Sequence, residues 1–343
     1  MQTSTSKRLR WNVAIWLAAG LFMTGAAGMA SGPIMPDPKA EARHQPQVEE
    51  TANGIPLVNI TAPSSGGVSR NEYETFNVPD KGAILNNSYT LSKTELAGYV
   101  QGNNNMAERP AKIIVNEVTG AGSTSMDGFL EVAGNRADVV IANPNGITVN
   151  GGGFINTGKA FLTTGKPVYD GEDHLQRFDI TGGDILIEGK GLGGKETESL
   201  AILSRAVKIN AGIWAKDLHI TTGTNTVDAK TLEASAIEGK GGCPAFALDT
   251  AAIGGMYAGR ITLVGTEKGL GVNNSGTWSA EDNLTLDWNG DLKNSGTIYS
   301  KGNTDLRASR LENDKTIAAG KDITISADGH VTNTGTVGAG INE

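Results

Sequence analysis

Four asparagines recur near the end of this chain at a spacing that leaves few folds open. Asn274-Ser-Gly-Thr277, Asn294-Ser-Gly-Thr297, Asn313-Asp-Lys-Thr316 and Asn333-Thr-Gly-Thr336 start units that follow one another about every 20 residues. In each unit an apolar residue follows the threonine (Trp278, Ile298, Ile317, Val337) and an alternating pair comes next (Leu284/Leu286, Thr304/Leu306, Ile323/Ile325). Leu292, Leu311 and Val331 each stand two residues before the next asparagine. Such a period is too short for a helix-containing repeat and fits one coil of a solenoid made of two or three short strands with sharp corners. The predicted fold is therefore all-β, a right-handed parallel β-helix with ~20 residues per coil.

A coil of this kind buries about four apolar side chains at roughly 1.5–3 kcal/mol each. Ordering its backbone costs on the order of 20–40 kcal/mol. No coil folds alone. Stacking adds backbone hydrogen bonds to the coils above and below, and asparagines in register can extend that ladder at the corners. Asn274, Asn294, Asn313 and Asn333 are accordingly predicted to be structural.

The rest of the chain is consistent with this. Its 47 glycines and 5% aromatic content suit short strands and tight turns better than one thick core. Alternating apolar pairs separated by Gly, Asn and Asp continue upstream, at Ile185/Ile187, Leu218/Ile220 and Ile261/Leu263. A net charge of -8 with scattered Lys and Arg argues against nucleic acid as a partner. Cys243 is the single cysteine, so no intrachain disulfide can form.

Residues 1–30 read as a signal peptide, with Lys7, Arg8 and Arg10 before an apolar run from Trp11 to Met23 and cleavage expected between Ala30 and Ser31. Residues 31–52, rich in proline and charge, predict a flexible linker, with order starting at Asn53. A unit begins just before Glu343 and neither end carries a recognisable polar cap, so the chain is expected to be the front of a longer repeat protein or a truncated copy.

Residues 110–167 contain Asn116-Glu-Val-Thr-Gly120, Leu130-Glu-Val-Ala-Gly134, Ala137-Asp-Val-Val-Ile-Ala-Asn-Pro-Asn-Gly-Ile147, Val149-Asn-Gly-Gly-Gly-Phe-Ile-Asn-Thr157 and Leu162-Thr-Thr-Gly-Lys-Pro167. Gly54-Ile-Pro-Leu-Val-Asn-Ile60 and Phe76-Asn-Val78 precede them, and Ser204-Arg-Ala-Val-Lys-Ile-Asn-Ala-Gly-Ile213 and Gly254-Gly-Met-Tyr-Ala-Gly259 follow. In this order the blocks resemble the two-partner-secretion, or haemagglutination-activity, domain of filamentous-haemagglutinin-like exoproteins. The resemblance spans residues 53–275, with haemagglutinin-type repeats over 276–343.

The resemblance implies a secreted or cell-surface adhesin, linked to virulence, monomeric, with a host-cell or bacterial surface receptor. Its N-terminal domain would be recognised in the periplasm by a dedicated outer-membrane β-barrel transporter. The delivery stalk of a contact-dependent inhibition toxin, or a haemolysin, is the alternative. Two Asn-rich turns are linked to secretion in the family, with a purely structural role in turning the chain between strands as the alternative. One is intact as Asn143-Pro144-Asn145-Gly146, and the other stands here as Asn103-Asn104-Asn105-Met106, without the proline found in many relatives. Some inhibition toxins carry a cysteine pair where Val149 and Gly152 stand, which favours the adhesin branch.

No catalytic, cofactor or metal residue is expected. Gly189-Lys-Gly191-Leu-Gly-Gly194 satisfies a dinucleotide fingerprint in form only, since no helical stripe follows it. His44, His174, His219 and His330 lack ligand spacing, and the acidic stretch Asp170 to His174 reads as a solvated loop. A β-helical polysaccharide-active enzyme is the minor alternative. It would require aspartates such as Asp217, Asp287, Asp305 and Asp322 to converge.

Overall fold

The computed structural model describes residues 32–106, 109–239 and 241–340, and the proposed cleavage point between Ala30 and Ser31 lies outside them. These residues form strands joined by turns, with one turn of 3-10 helix at Ala42–His44. The strands stack in parallel from coil to coil into a 21-stranded and a nine-stranded sheet. The fold is the β-helix that the repeat predicts.

The C-terminal coils follow the predicted period closely. Leu292–Asn294, Thr297–Ser300 and Thr304–Ala308 are the three strands of one coil. Leu292 faces Leu311 and Leu311 faces Val331; Trp278 faces Ile298 and Ile298 faces Ile317. Alternation then decides what is buried: Leu284, Leu286 and Trp288 point inward while Thr285 and Asp287 are exposed. One continuous apolar core runs inside the helix from Ile34 to Ile317. Trp278, Tyr73, Phe76 and Phe154 are its largest fully buried members.

The four repeated asparagines form the expected ladder. Asn274 Nδ2 donates to Asn294 Oδ1 at 2.8 Å, Asn294 Nδ2 to Asn313 Oδ1 at 2.7 Å, and Asn313 Nδ2 to Asn333 Oδ1 at 2.7 Å. The first three are buried. The first three carboxamides also reach a backbone carbonyl one coil on, as Asn294 does at Thr316 O, 3.0 Å away. The ladder therefore replaces water at a corner where the backbone turns away from its own sheet.

Residues 32–52, expected as part of the linker, are ordered into strands. Ile34–Pro36 pairs antiparallel with the long strand Val68–Phe76, and Gln47–Glu50 pairs antiparallel with Pro56–Asn59. Ile34 is buried, and Asp37 accepts from Thr119 Oγ1 at 2.6 Å. The segment closes the N-terminal end of the solenoid, the cap that seemed absent from the sequence. A cap strand reads as disordered because it is polar on its outer side and needs few apolar residues of its own.

The uniform period also fails upstream. Ile147 faces Ile185 and Val207 faces Leu248, so these coils are about twice as long as the later ones. The extra residues here, and those between Ala83 and its partner Leu130, build two outer layers. Lys166–Tyr169, Leu175–Ile180, Asn225–Asp228 and Ala234–Ala236 make a four-stranded antiparallel sheet. It covers the outward residues Val115, Val140 and Phe161 with Phe178, Ile180 and Val227. Ser92–Thr94 and Gly98–Val100 make a hairpin over Leu57, Ile84 and Ala133.

Candidate functional site

The two asparagine turns lie in different coils and have one construction. Asn143 is fully buried; its Nδ2 donates to Gly122 O at 2.9 Å and to Thr124 Oγ1 at 3.0 Å in the preceding coil. Its Oδ1 accepts the Asn145 N–H at 2.9 Å, and the turn closes with Gly146 N–H donating to Asn143 O at 3.1 Å. Gly146 has φ +107°, which a residue with a Cβ adopts only under strain. Asn145 Nδ2 donates to Gly120 O at 2.8 Å.

Asn103 repeats each contact. Its Nδ2 donates to Ile60 O at 2.8 Å and Asn86 O at 2.9 Å, its Oδ1 accepts Asn105 N–H at 2.9 Å, and Met106 N–H donates to Asn103 O at 3.1 Å. Asn105 Nδ2 reaches Ile60 O at 3.1 Å. The turn closes on the same backbone hydrogen bonds without the proline, because the asparagine side chain, bonded to the backbone two residues on, holds it. Met106 drops into the core. Asn104, Pro144 and Asn145 are left facing solvent.

Sequence reasoning did not anticipate a charged cluster where the N-terminal cap meets the outer sheet. His44 is buried, with Nδ1 3.0 Å from Glu72 Oε1 and Nε2 4.0 Å from Asp173 Oδ2. Arg43 pairs with Asp173 at 2.9 Å, and Arg70 with Glu72 at 2.8 Å. The Arg70 guanidinium lies 4.5 Å from the centre of the Tyr169 ring. Burial pushes the Glu117 carboxyl up despite Arg70 beside it, and burial together with Arg70 pushes His44 down. Residues separated by more than a hundred positions meet here, and nothing in their spacing announced it. Among the described residues no group of His, Cys, Asp or Glu has the arrangement of a metal site.

The remaining candidates fall into structural places. Gly189 and Gly191, both at positive φ, turn the chain between the strands Asp184–Ile187 and Leu192–Gly194, with no helix after them. Asp170 accepts from Glu172 N, His174 N and the His174 ring, each at 2.9 Å, closing its loop on itself. Asp217 pairs with Arg260 at 3.2 Å and Asp287 with Arg307 at 3.6 Å, so each of these carboxylates faces an arginine of the next coil.

Known proteins resemble this chain closely. The family model described as the TPS secretion domain matches residues 33–300, starting inside the segment expected as linker and running past residue 275. A protein named "Toxin CdiA" from Yersinia pestis is 42% identical over 298 residues, covering 80% of this chain and 9% of its own length. A "16S rRNA endonuclease CdiA" from Enterobacter cloacae is 42% identical over 302 residues, covering 87% of this chain and 9% of that protein. The chain thus spans about a tenth of the length of these curated relatives. The crystal structure of the filamentous hemagglutinin secretion domain superposes with a TM-score of 0.68 at 30% identity, covering 90% of this chain and all of that one.

Proposed function

Because this chain belongs to the TPS secretion domain family, we propose that it is the N-terminal address region of a long exoprotein, read by a cognate outer-membrane β-barrel transporter. Exported through the inner membrane by residues 1–30, it is released to the cell surface or the medium. The module itself serves secretion and has no catalytic role. The observation that carries the reading is the match over residues 33–300, which takes in the cap, both outer layers and most of the coils.

The turn geometry supports recognition before folding. In the folded chain the Asn103 and Asn143 carboxamides are buried and bonded to their own chain, so a partner reaches them only while the chain is extended. A stacked fold can then form coil by coil as the chain emerges, and its lack of disulfides leaves no closed loop to obstruct a pore.

The longer protein is either an adhesin or the stalk of a contact-dependent inhibition toxin. Val149 and Gly152 in place of a cysteine pair favour the first. The relatives named CdiA, at 42% identity, favour the second. The downstream coding sequence separates them: a nuclease or pore-forming region at the far end supports the toxin, and continued repeats alone support the adhesin.

Residues 1–343 are expressed with and without the transporter and the medium is assayed. Secretion only in its presence is expected, and equal secretion in its absence overturns the reading. Pro144→Ala and Asn104→Ala, which touch exposed side chains, then test the turns as recognition elements. A drop in secretion at unchanged melting temperature supports that role, and unchanged secretion removes it.

A further inference from the structure

One outer face of the helix differs from the other two. Strand pairing places Phe129 beside Gly153, Gly153 beside Gly193, Gly193 beside Trp214, Trp214 beside Tyr257, Tyr257 beside Ser279 and Ser279 beside Tyr299. The aromatic members alternate with core residues, as Trp214 does with Ile213 and Ala215 and Tyr257 with Met256 and Ala258, so they point to solvent. Phe129 is 43% and Tyr257 39% exposed, which leaves both within reach of a ligand. The second face carries Lys208, Asp249, Asn273, Lys293 and Glu312 in a column, and the third Thr262, Thr285, Asp305 and Thr324.

The rings lie down on bare backbone. A Cβ added to Gly212 would come within 2.5 Å of the Trp214 indole, and one added to Gly191, in the preceding coil, within 3.0 Å. The indole therefore lies over glycine backbone in two successive coils. Tyr257 leans over Gly255 in the same way, 2.8 Å from such a Cβ, and its ring is 17° from parallel with the indole at a centroid distance of 6.2 Å. Between Phe129 and Trp214 the floor is Gly193, where an added Cβ would meet nothing closer than 3.8 Å. At the rim, Arg260 reaches Asp217 at 3.2 Å and Asp282 at 3.8 Å.

We propose that this column binds a neutral, extended, β-linked polysaccharide laid along the helix axis, its pyranose C–H faces on Trp214 and Tyr257. The face of an aromatic ring carries negative charge and attracts the weakly positive C–H groups of a sugar face. Asp217 and Arg260 offer an acceptor and a donor to hydroxyls at the sugar's rim. With Lys216 and Asp282 they balance in sign, so nothing selects a charged ligand. Coils advance by ~4.8 Å, so a linear chain can meet one coil after another. A protein partner needs about 800 Å² of matched surface on each side, whereas the column is one side chain wide on glycine backbone.

The folded full chain is titrated with cellohexaose, chitohexaose and, as the coiled α-linked control, maltohexaose, followed by calorimetry and tryptophan fluorescence. Saturable binding of a β-linked hexasaccharide is expected, weakened roughly tenfold by Trp214→Ala or Tyr257→Ala. Gly193→Leu, which keeps both rings and fills the floor between them, weakens it comparably, and Lys208→Ala on another face does not. Circular dichroism confirms that each variant is folded. The proposal is overturned by no saturation with either β-linked sugar up to about 10 mM or by binding that all three face variants retain. Preference for maltohexaose or for a sulfated hexasaccharide, or self-association of the chain that Trp214→Ala abolishes, overturns it equally.

Discussion

The coils after Val272 and those before Leu248 solve the same problem with different means. In the C-terminal part each coil touches only its neighbours, its three strands are short, and its corner is satisfied by an asparagine handing a hydrogen bond to the next asparagine. In the N-terminal part the asparagines at Asn103 and Asn143 bond backbone carbonyls and the Thr124 hydroxyl rather than another asparagine, and the coils throw out segments that fold back as a second layer. A pure stack gains stability one interface at a time. The layered part ties coils that are far apart in sequence, as the meeting of His44, Arg70 and Asp173 does, and so behaves more like a compact domain.

This contrast predicts a graded series of losses, each measured by denaturant unfolding unless stated. Trp278→Ala removes a fully buried ring and its Nε1–H bond to Thr250 Oγ1 at 3.0 Å where the two parts join; about 3–5 kcal/mol is expected. A loss below about 1 kcal/mol would mean that the parts are not coupled there. Asn294→Ala leaves Asn274 and Asn313 with unmet buried groups and should cost roughly 2–3 kcal/mol.

Acid should act on the layered part. Burial pushes the His219 imidazole down to about 4. A folded state that holds this histidine neutral keeps its full stability above the unfolded pKa of about 6.5 and loses it as pH falls toward 4, by on the order of 2 kcal/mol. In His219→Gln the melting temperature should be flatter between these limits; an unchanged slope would assign the acid sensitivity elsewhere. Glu131→Ala frees the hairpin N–H groups of Glu95 and Leu96, held at 2.7 and 2.9 Å. Faster hydrogen exchange over residues 92–100 and a loss of about 1 kcal/mol are expected. The smallest effect belongs to Asn333→Ala, below about 0.5 kcal/mol, since this side chain is exposed.

The regular part was legible in the sequence because one period governs strand, corner and core together. Trp278, Ile298 and Ile317 could be placed in one column by counting alone. The layered part could not. Lys166–Tyr169 and Leu175–Ile180 alternate like any strand, and nothing local states that they pair antiparallel outside the helix. The cap strand Gln47–Glu50 hides for the opposite reason, since only Val48 among its residues packs against the core. The Asn turns were visible as turns. That Asn103 would be sealed in, and would hold its shape without proline, depends on carbonyls of Ile60 and Asn86 that only the folded coils bring near. The cluster at His44 had no signature, because its members sit on four separated segments.

Every rung of the asparagine relay points the same way, amide to carbonyl, from Asn274 through Asn333. Aligned dipoles polarise one another, so each added link tightens those already made. The leading carboxamide, whose nearest acceptor is Gly335 O at 3.4 Å, always presents an N–H ahead of the growing stack. A coil that arrives shifted by one residue cannot receive it. The relay thus ties the register of each coil to that of the one before it.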